Sequence, residues 1–142
     1  MKDLVRYLDE IVDATVQDLE ANRTSVPHAF LACVAVFHAV DYRAYPRKSR
    51  GTRKSYGQAS AEFTLVDQVA HAFKHVVSRR GKISLNAKDI ISRPAAHWGS
   101  AVYGLSQFSD PVGGVTLDSD RNLDLVDVVK RAAIFLRQQT KG

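Results

Sequence analysis

One stretch of the chain, residues 27–44, is apolar on almost every side when its sequence is drawn as a helix. Its large apolar side chains are Phe30, Leu31, Val34, Val36, Phe37 and Val40. A helix that lacks a polar face is usually buried at the centre of a helical domain. Thr24 or Ser25 can cap its N-terminus, and Pro27 suits its first turn. The fold is therefore predicted to pack its other helices around this one.

Three further segments repeat apolar residues at helical spacing. A stripe near the N-terminus consists of Leu4, Leu8, Ile11, Val12, Thr15 and Leu19. The acidic residues of this segment fall mostly on its other side, as in an amphipathic helix. Two more helices are predicted over about 59–79 and about 123–139.

A small β-hairpin is predicted between the last two helices. Short β-branched or aromatic pieces at 101–108 and 115–117 flank the turn sequence Ser-Asp-Pro-Val-Gly-Gly. The hairpin region therefore covers about 100–118. The predicted fold class is mainly α: a four-helix, bundle-like single domain over residues 1–142, with the hairpin before the C-terminal helix.

The composition is that of an ordinary globular chain, with 142 residues of which 45% are hydrophobic and 25% charged. The single cysteine, Cys33, excludes an internal disulfide, which suits a reducing cytoplasm. No apolar run approaches the roughly 18 residues that a membrane-spanning helix needs. The acidic N-terminus is unlike a secretory signal. The sequence therefore predicts a cytoplasmic protein without a membrane partner.

Charge is distributed unevenly along the chain, whose net charge is +5. Acidic residues dominate the first helix: Asp3, Asp9, Glu10, Asp13, Asp18 and Glu20. Between residues 43 and 82, in contrast, Lys and Arg far outnumber Glu62 and Asp67. Such asymmetry can mark a polyanion-binding face, and it can equally be neutralised by the acidic helix within the fold or across a dimer.

The densest basic stretch, RKSRGTRKSYGQ, lacks apolar periodicity and predicts a mobile loop over about 46–58. Its Lys and Arg side chains would neutralise phosphates, while Tyr45 and Tyr56 could stack on bases. The candidate polyanion-binding residues are Arg47, Lys48, Arg50, Arg53, Lys54, Arg79 and Arg80. No helix-turn-helix, zinc-finger or RNP-like motif accompanies them.

The predicted third helix carries the sequence DQVAHAFKHVVSRR, in which His71 and His75 are four residues apart. This spacing places two imidazoles where they could share a metal ion, with His38 or Asp41 as a third ligand. Lys74 in the same stripe opposes a metal, and no Glu completes a zincin motif. Metal binding by the three histidines is therefore kept as an alternative, and no cofactor is predicted.

A second polar pair lies on the apolar helix, where His38 and Asp41 are three residues apart. Burying either group without a partner is costly, so hydrogen bonds between them or to the next helix are expected. The predicted polar cluster consists of His38, Asp41, Asp67, Lys74 and His75. Separately, His97 and Trp98 are predicted either to line a pocket or to cap an edge of the core.

Three segments, FLACVAVFHAVDY, LVDQVAHAFKH and GGVTLDSDRNLDLVDVVKRAAIFLR, together resemble a family of small bacterial helical proteins without a known activity. In that family one helix carries a His-x-x-Asp-aromatic segment, the next carries Asp, Asn and Lys-His, and a hairpin precedes the last helix. The resemblance implies a site at His38, Asp41, Asp67, Lys74 and His75. Here His71 replaces the Asn and Tyr42 replaces a usual Trp, so the resemblance does not imply that position 71 is an obligatory metal ligand.

These features favour a small bacterial, cytoplasmic binding or interaction module. Its predicted partner is nucleic acid or another polyanion, and a homodimer is left open. The alternative is a metal-dependent, hydrolase-like helical bundle built on the His/Asp cluster. A helical ribonuclease that depends on Lys74 and His75 is a third interpretation. The sequence leaves open whether the protein is an enzyme.

Overall fold

The computed structural model describes residues 1–79 and 84–141. These residues are mainly helical, with two short antiparallel strand pairs. The helices are α1 (Lys2–Tyr7), α2 (Asp13–Ala21), α3 (Val26–Ala44), α4 (Arg50–Ala59), α5 (Ala61–His75) and α6 (Leu125–Gln138). The strands are β1 (Val77–Ser78), β2 (Leu85–Asn86), β3 (Ile90–Arg93) and β4 (Gly114–Leu117). The predicted fold class, a mainly α domain with a small hairpin before the last helix, is confirmed.

The first predicted helix is a continuous rod in which a π-helical turn, Leu8–Val12, joins α1 to α2. Its buried residues recur every four positions: Leu4, Leu8, Val12 and Val16. Because an α-helix repeats about every 3.6 residues, a four-residue repeat would drift around an ideal helix. The wider π-helical turn keeps these residues on one face. Ile11, predicted to be part of the stripe, is consequently 45% exposed.

Helix α3 is central, as predicted, because it packs against α1, α2, α4, α5 and α6. Ser25 caps it by accepting a hydrogen bond from the His28 N–H at 3.4 Å, and Pro27 lies in the first turn. The helix still has a polar side, on which His38 and Asp41 are exposed. Neither α3 nor any other helix within the described residues is long and apolar enough to cross a membrane.

Residues 46–58 were predicted to be a mobile loop. This prediction is wrong, because most of these residues form α4. Tyr56 anchors this helix, since its side chain is only 7% exposed. Its ring makes edge contacts with Phe63 of α5 and Phe135 of α6, at centroid distances of 5.6 and 5.3 Å. A helix that buries a single large apolar residue has no apolar periodicity, which explains the wrong prediction.

Helix α5 is shorter than predicted, since it ends at His75 and not at residue 79. Ser60 caps its N-terminus by accepting the Phe63 N–H at 3.1 Å. At the other end Val76 has a φ of 68°, a left-handed conformation in which a helix cannot continue. The chain then enters β1, which pairs antiparallel with β2.

The hairpin before α6 is present, but its first strand lies earlier than predicted. Strand β3 pairs antiparallel with β4, with Ile90 opposite Leu117. Residues 101–108, predicted to be a strand, lie in the connection between β3 and β4. Ile90, Val115 and Leu117 are buried, whereas the large apolar residues of the connection are exposed. Burial against the core, more than β propensity, therefore determines which segments form strands.

Candidate functional site

A groove between α3, α4 and α5 brings together most of the predicted polar cluster. Its volume is about 340 Å³, and its polar lining consists of His38, Arg53, His71, Lys74 and His75. Asp41 is linked to the groove through His38. Asp67, one helical turn before His71, is not part of the lining. The floor of the groove is apolar and consists of Val34, Phe37, Ala70 and Phe73.

His38 and Asp41 form the pair that their spacing predicted. His38 Nδ1 and Asp41 Oδ2 are 3.0 Å apart, and both side chains are about half exposed, at 51% and 52%. Partial burial raises the pKa of the Asp41 carboxyl, but hydrogen bonds from His38 and Ser49 and the nearby Arg53 charge outweigh it. The net pKa of Asp41 therefore lies below its ordinary value, and the side chain is a carboxylate at neutral pH.

The two histidines of α5 lie on successive turns and contact each other. The ring centroids of His71 and His75 are 4.5 Å apart. Among the described residues, however, no group of three or more His, Cys, Asp or Glu side chains is placed to hold a metal ion. His38 lines the same groove, and its Nδ1 is hydrogen-bonded to Asp41. The arrangement of these side chains does not favour the metal-binding interpretation of His38, His71 and His75.

Helix α4 presents its basic residues on one side. At about 100° per residue, Arg50, Arg53 and Lys54 fall within about 100° of one another around the helix. Arg53 also reaches the groove, where its guanidinium lies 5.7 Å from the centroid of the Phe37 ring. We use the name basic surface for the five residues of α4 and the segment before it: Arg47, Lys48, Arg50, Arg53 and Lys54.

Two other polyanion-binding candidates lie beyond α5. Arg79 follows β1 and is exposed. Arg80 lies outside the described residues. The polyanion-binding candidates that the structure groups together are therefore those of the basic surface, and Lys74 of α5 lies across the groove from Arg53.

Within the described residues, the basic surface forms no direct ion pair, although Arg53 lies near enough to Asp41 for its charge to lower the pKa of that carboxyl. Three acidic residues of the first helix pair with α6: Arg137 binds Asp9 at 2.9 Å and also Asp13, and Lys130 binds Glu20. Among residues 1–79 and 84–141, no carboxylate oxygen lies within 4.0 Å of a charged nitrogen of the basic surface. The acidic helix therefore neutralises α6 and not, as the sequence also allowed, the basic stretch of the same chain.

Two largely buried ion pairs, neither of which was predicted from the sequence, hold the connection between β3 and β4 and its surroundings. Arg93 is 5% exposed, and its Nε donates to Asp110 Oδ2 at 2.7 Å. Arg23 donates to Asp124 Oδ2 at 2.7 Å. Burial raises the pKa of Asp124, although the Arg23 charge opposes this rise. The partners of the two pairs are 17 and 101 residues apart in the sequence, so neither pair can be predicted from a local sequence pattern.

The connection between β3 and β4 carries three aromatic side chains that are fully exposed. Trp98, Tyr103 and Phe108 have relative exposures of 102%, 105% and 95%. The prediction that His97 and Trp98 line a pocket or cap an edge of the core is therefore wrong. His97 Nδ1 instead lies 2.9 Å from the Ser100 hydroxyl in a local turn.

No protein-family model matches this chain. No curated protein and no solved structure matches it at a significant level. The resemblance to a family of bacterial helical proteins therefore stays a prediction, and function has to be inferred from the arrangement of side chains.

Proposed function

We propose that this protein binds nucleic acid through the basic surface on α4. The observation that carries the proposal is the distribution of ion pairs. Lys130 and Arg137 of α6 are paired with the acidic N-terminal helix, whereas within the described chain the basic surface forms no ion pair within 4.0 Å, and Arg53 interacts with Asp41 only over a longer distance. Unpaired cations grouped on one side of a helix attract a chain of phosphates, from which counterions are released on binding. Such a partner fits the cytoplasmic location that the sequence predicts.

An exposed aromatic residue beside the basic surface favours single-stranded nucleic acid. Tyr45 is 81% exposed and lies two residues before Arg47. Stacking of a base on such a ring contributes about 1–3 kcal/mol. Tyr56, the other residue predicted to stack, is unsuitable because it is buried against Phe63 and Phe135. Tyr45 is therefore the stacking residue in this proposal.

Binding of a fluorescent single-stranded oligonucleotide, followed by anisotropy over a series of salt concentrations, tests the proposal. For single strands, log K falls with log salt by about 0.7 for each phosphate that is neutralised. The double variant Arg50→Gln/Lys54→Gln should weaken binding at low salt and reduce this slope by about 1.4, because two contacts are lost. The matched control Lys2→Gln/Lys141→Gln removes the same charge from exposed positions outside the basic surface and should keep the slope.

Two results would contradict the proposal. One is undetectable binding to mixed oligonucleotides at low salt, where phosphate contacts are strongest. The other is an equal loss of affinity and slope in both double variants, which would mean that net charge alone attracts the oligonucleotide. Tyr45→Ala adds an independent check, since it should weaken single-strand binding by about 1–3 kcal/mol without changing the salt slope.

A further inference from the structure

The groove between α3, α4 and α5 combines a basic lining with an exposed aromatic ring. Phe73 is 53% exposed, and its ring packs on Phe30 with a centroid distance of 4.8 Å. Phe37 lies on the groove floor and is contacted by the Arg53 guanidinium. A planar group that enters the groove can therefore stack on Phe73, whose position is fixed by Phe30.

Within the described chain, the permanent charges of the groove lining are positive. Arg53 comes from α4 and Lys74 from α5, and three imidazoles supply further polar atoms. Among the described residues, no Asp or Glu is part of the lining. Asp41, which adjoins the groove, is hydrogen-bonded by His38 and Ser49 and also lies near the Arg53 charge, so a bound phosphate competes with it for Arg53. The groove thus suits a compact anion that is joined to a planar, largely apolar group.

We infer that this groove binds the phosphorylated end of a nucleic acid strand, with the terminal phosphate on Arg53 and Lys74 and the terminal base on Phe73. The inference rests on the proposed function, because the rest of the strand would follow the basic surface along α4. A terminal phosphomonoester carries about −1.5 to −2 charges at pH 7, whereas each internal phosphate carries about one. The terminal phosphate therefore gains more from two cations that share one groove.

The size of the groove agrees with a single terminal nucleotide. Its volume of about 340 Å³ lies at the lower end of the range of ligand sites, about 300–1,000 Å³. The groove is lined by three helices, and Arg53 belongs both to its lining and to the basic surface. One nucleotide would thus occupy the groove while the following phosphates lie on α4.

Three oligonucleotides of one sequence test the inference: one with a 5′-phosphate, one with a 3′-phosphate and one with neither. In competition anisotropy at a fixed salt concentration, one phosphorylated end should bind about tenfold more tightly than the unphosphorylated strand, as expected for one added charge-assisted contact. Lys74→Gln should reduce this ratio to about one. Arg50→Gln/Lys54→Gln should weaken binding of all three oligonucleotides and keep the ratio.

A second measurement concerns the aromatic floor. A nucleoside monophosphate should shift the NMR signals of α3 and α5 residues at lower concentration than inorganic phosphate does, because the base adds stacking on Phe73. Phe73→Ala should abolish this advantage. The Phe73 side chain is more than half exposed, so its loss should leave the fold intact.

The two proposals fail in different ways. Equal affinity of the three oligonucleotides, or a ratio that survives Lys74→Gln, would overturn the inference about the groove and leave nucleic acid binding by the basic surface intact. If a nucleoside monophosphate binds no more tightly than inorganic phosphate, the base does not stack on Phe73, and that part of the inference is wrong. Absence of binding by every oligonucleotide at low salt would overturn the proposed function and the groove inference together.

Discussion

Replacing Asp110 with Asn would leave a buried guanidinium without the carboxylate it binds most closely. Arg93 Nε donates to Asp110 Oδ2 at 2.7 Å, and the two side chains are 6% and 13% exposed. The amide of Asn has nearly the size of the carboxylate and can still accept the Gly113 N–H, which lies 3.0 Å from Oδ1. The substitution therefore changes the charge at this position with little change in packing.

The expected loss of stability is about 2–4 kcal/mol, slightly less than the full cost of breaking a buried ion pair. Removing one partner of such a pair costs about 3–5 kcal/mol, because the remaining charge has no counterion. Arg93 keeps hydrogen bonds to the carbonyls of Arg121 and Leu123, at 3.0 and 3.3 Å, which offset part of that cost. Since domains have a total stability of about 5–15 kcal/mol, the variant should still fold.

Urea unfolding followed by circular dichroism at pH 7 measures the loss, with Asp118→Asn as the matched control. Asp118 pairs with Arg121 at the surface, where the side chains are 57% and 50% exposed. Exposed ion pairs contribute only about 0.2–1 kcal/mol. The same chemical change should therefore destabilise the protein several times more at position 110 than at position 118.

The stability difference between the native protein and Asp110→Asn should also depend on pH. Burial raises the pKa of Asp110, but the Arg93 guanidinium and the N–H groups of Gly113 and Val112 lower it by more, so that it lies below the ordinary value of 3.8. A carboxyl group whose pKa is lowered by folding makes its full contribution to the stability of the protein at pH values above its pKa in the unfolded chain. That contribution is lost as the pH falls through the folded-state pKa. The difference in the free energy of unfolding should stay constant from pH 7 to about pH 5 and should decrease towards zero below about pH 4.

Two outcomes would refute this reasoning. A loss no larger than that of Asp118→Asn would mean that Arg93 does not depend on Asp110 for charge compensation. A difference that widens on acidification would mean that the Asp110 carboxylate is not the group responsible. The slope of the unfolding free energy against urea has to be equal in all three proteins, because a changed slope reports a changed denatured state.

Two further predictions concern the core and its turns. Gly113→Ala should cost at least about 2 kcal/mol in urea unfolding, because Gly113 has a φ of +67° and a Cβ there would lie 2.4 Å from the Arg93 carbonyl oxygen. Gly51→Ala, at a position with nothing within 4 Å, is its control and should be neutral or stabilising. Burial raises the pKa of the Cys33 thiol to about 12, so this thiol should react with Ellman's reagent only as the protein unfolds. Rapid labelling of the native protein, or equal losses in the two glycine variants, would contradict these expectations.

The helices that bury several apolar residues on one face were predictable from the sequence. Helix α3 spans Val26–Ala44 where 27–44 was predicted, and α6 spans Leu125–Gln138 where about 123–139 was predicted. Helix α4 was missed because Tyr56 is its one buried residue, packed against Phe63 of α5 and Phe135 of α6. A helix held by tertiary contacts of one aromatic side chain leaves no periodic signal in the sequence.

The candidate site was predictable where it depends on helical spacing and unpredictable where it depends on packing. Three-residue spacing placed His38 beside Asp41, and the structure pairs them at 3.0 Å. Arg53 could not be assigned to the same groove, because its place depends on how α4 packs beside α3 and α5. The Arg93–Asp110 pair likewise forms only once β3 and the connection after it have folded together.

Helix α4 holds its basic residues together although their mutual repulsion opposes folding. Arg50 and Lys54 are four residues apart, and like charges at that spacing destabilise a helix by about 0.2–0.5 kcal/mol. Within the described chain, Asp9, Asp13 and Glu20 of the first helix pair with Arg137 and Lys130 of α6, and no ion pair relieves the repulsion between Arg50 and Lys54. Burial of Tyr56 keeps α4 in place nevertheless. A bound phosphate chain would remove the repulsion and, by binding only the folded protein, would stabilise it further. Under the proposed function, binding of a phosphate chain therefore offsets a repulsion that folding alone leaves in place.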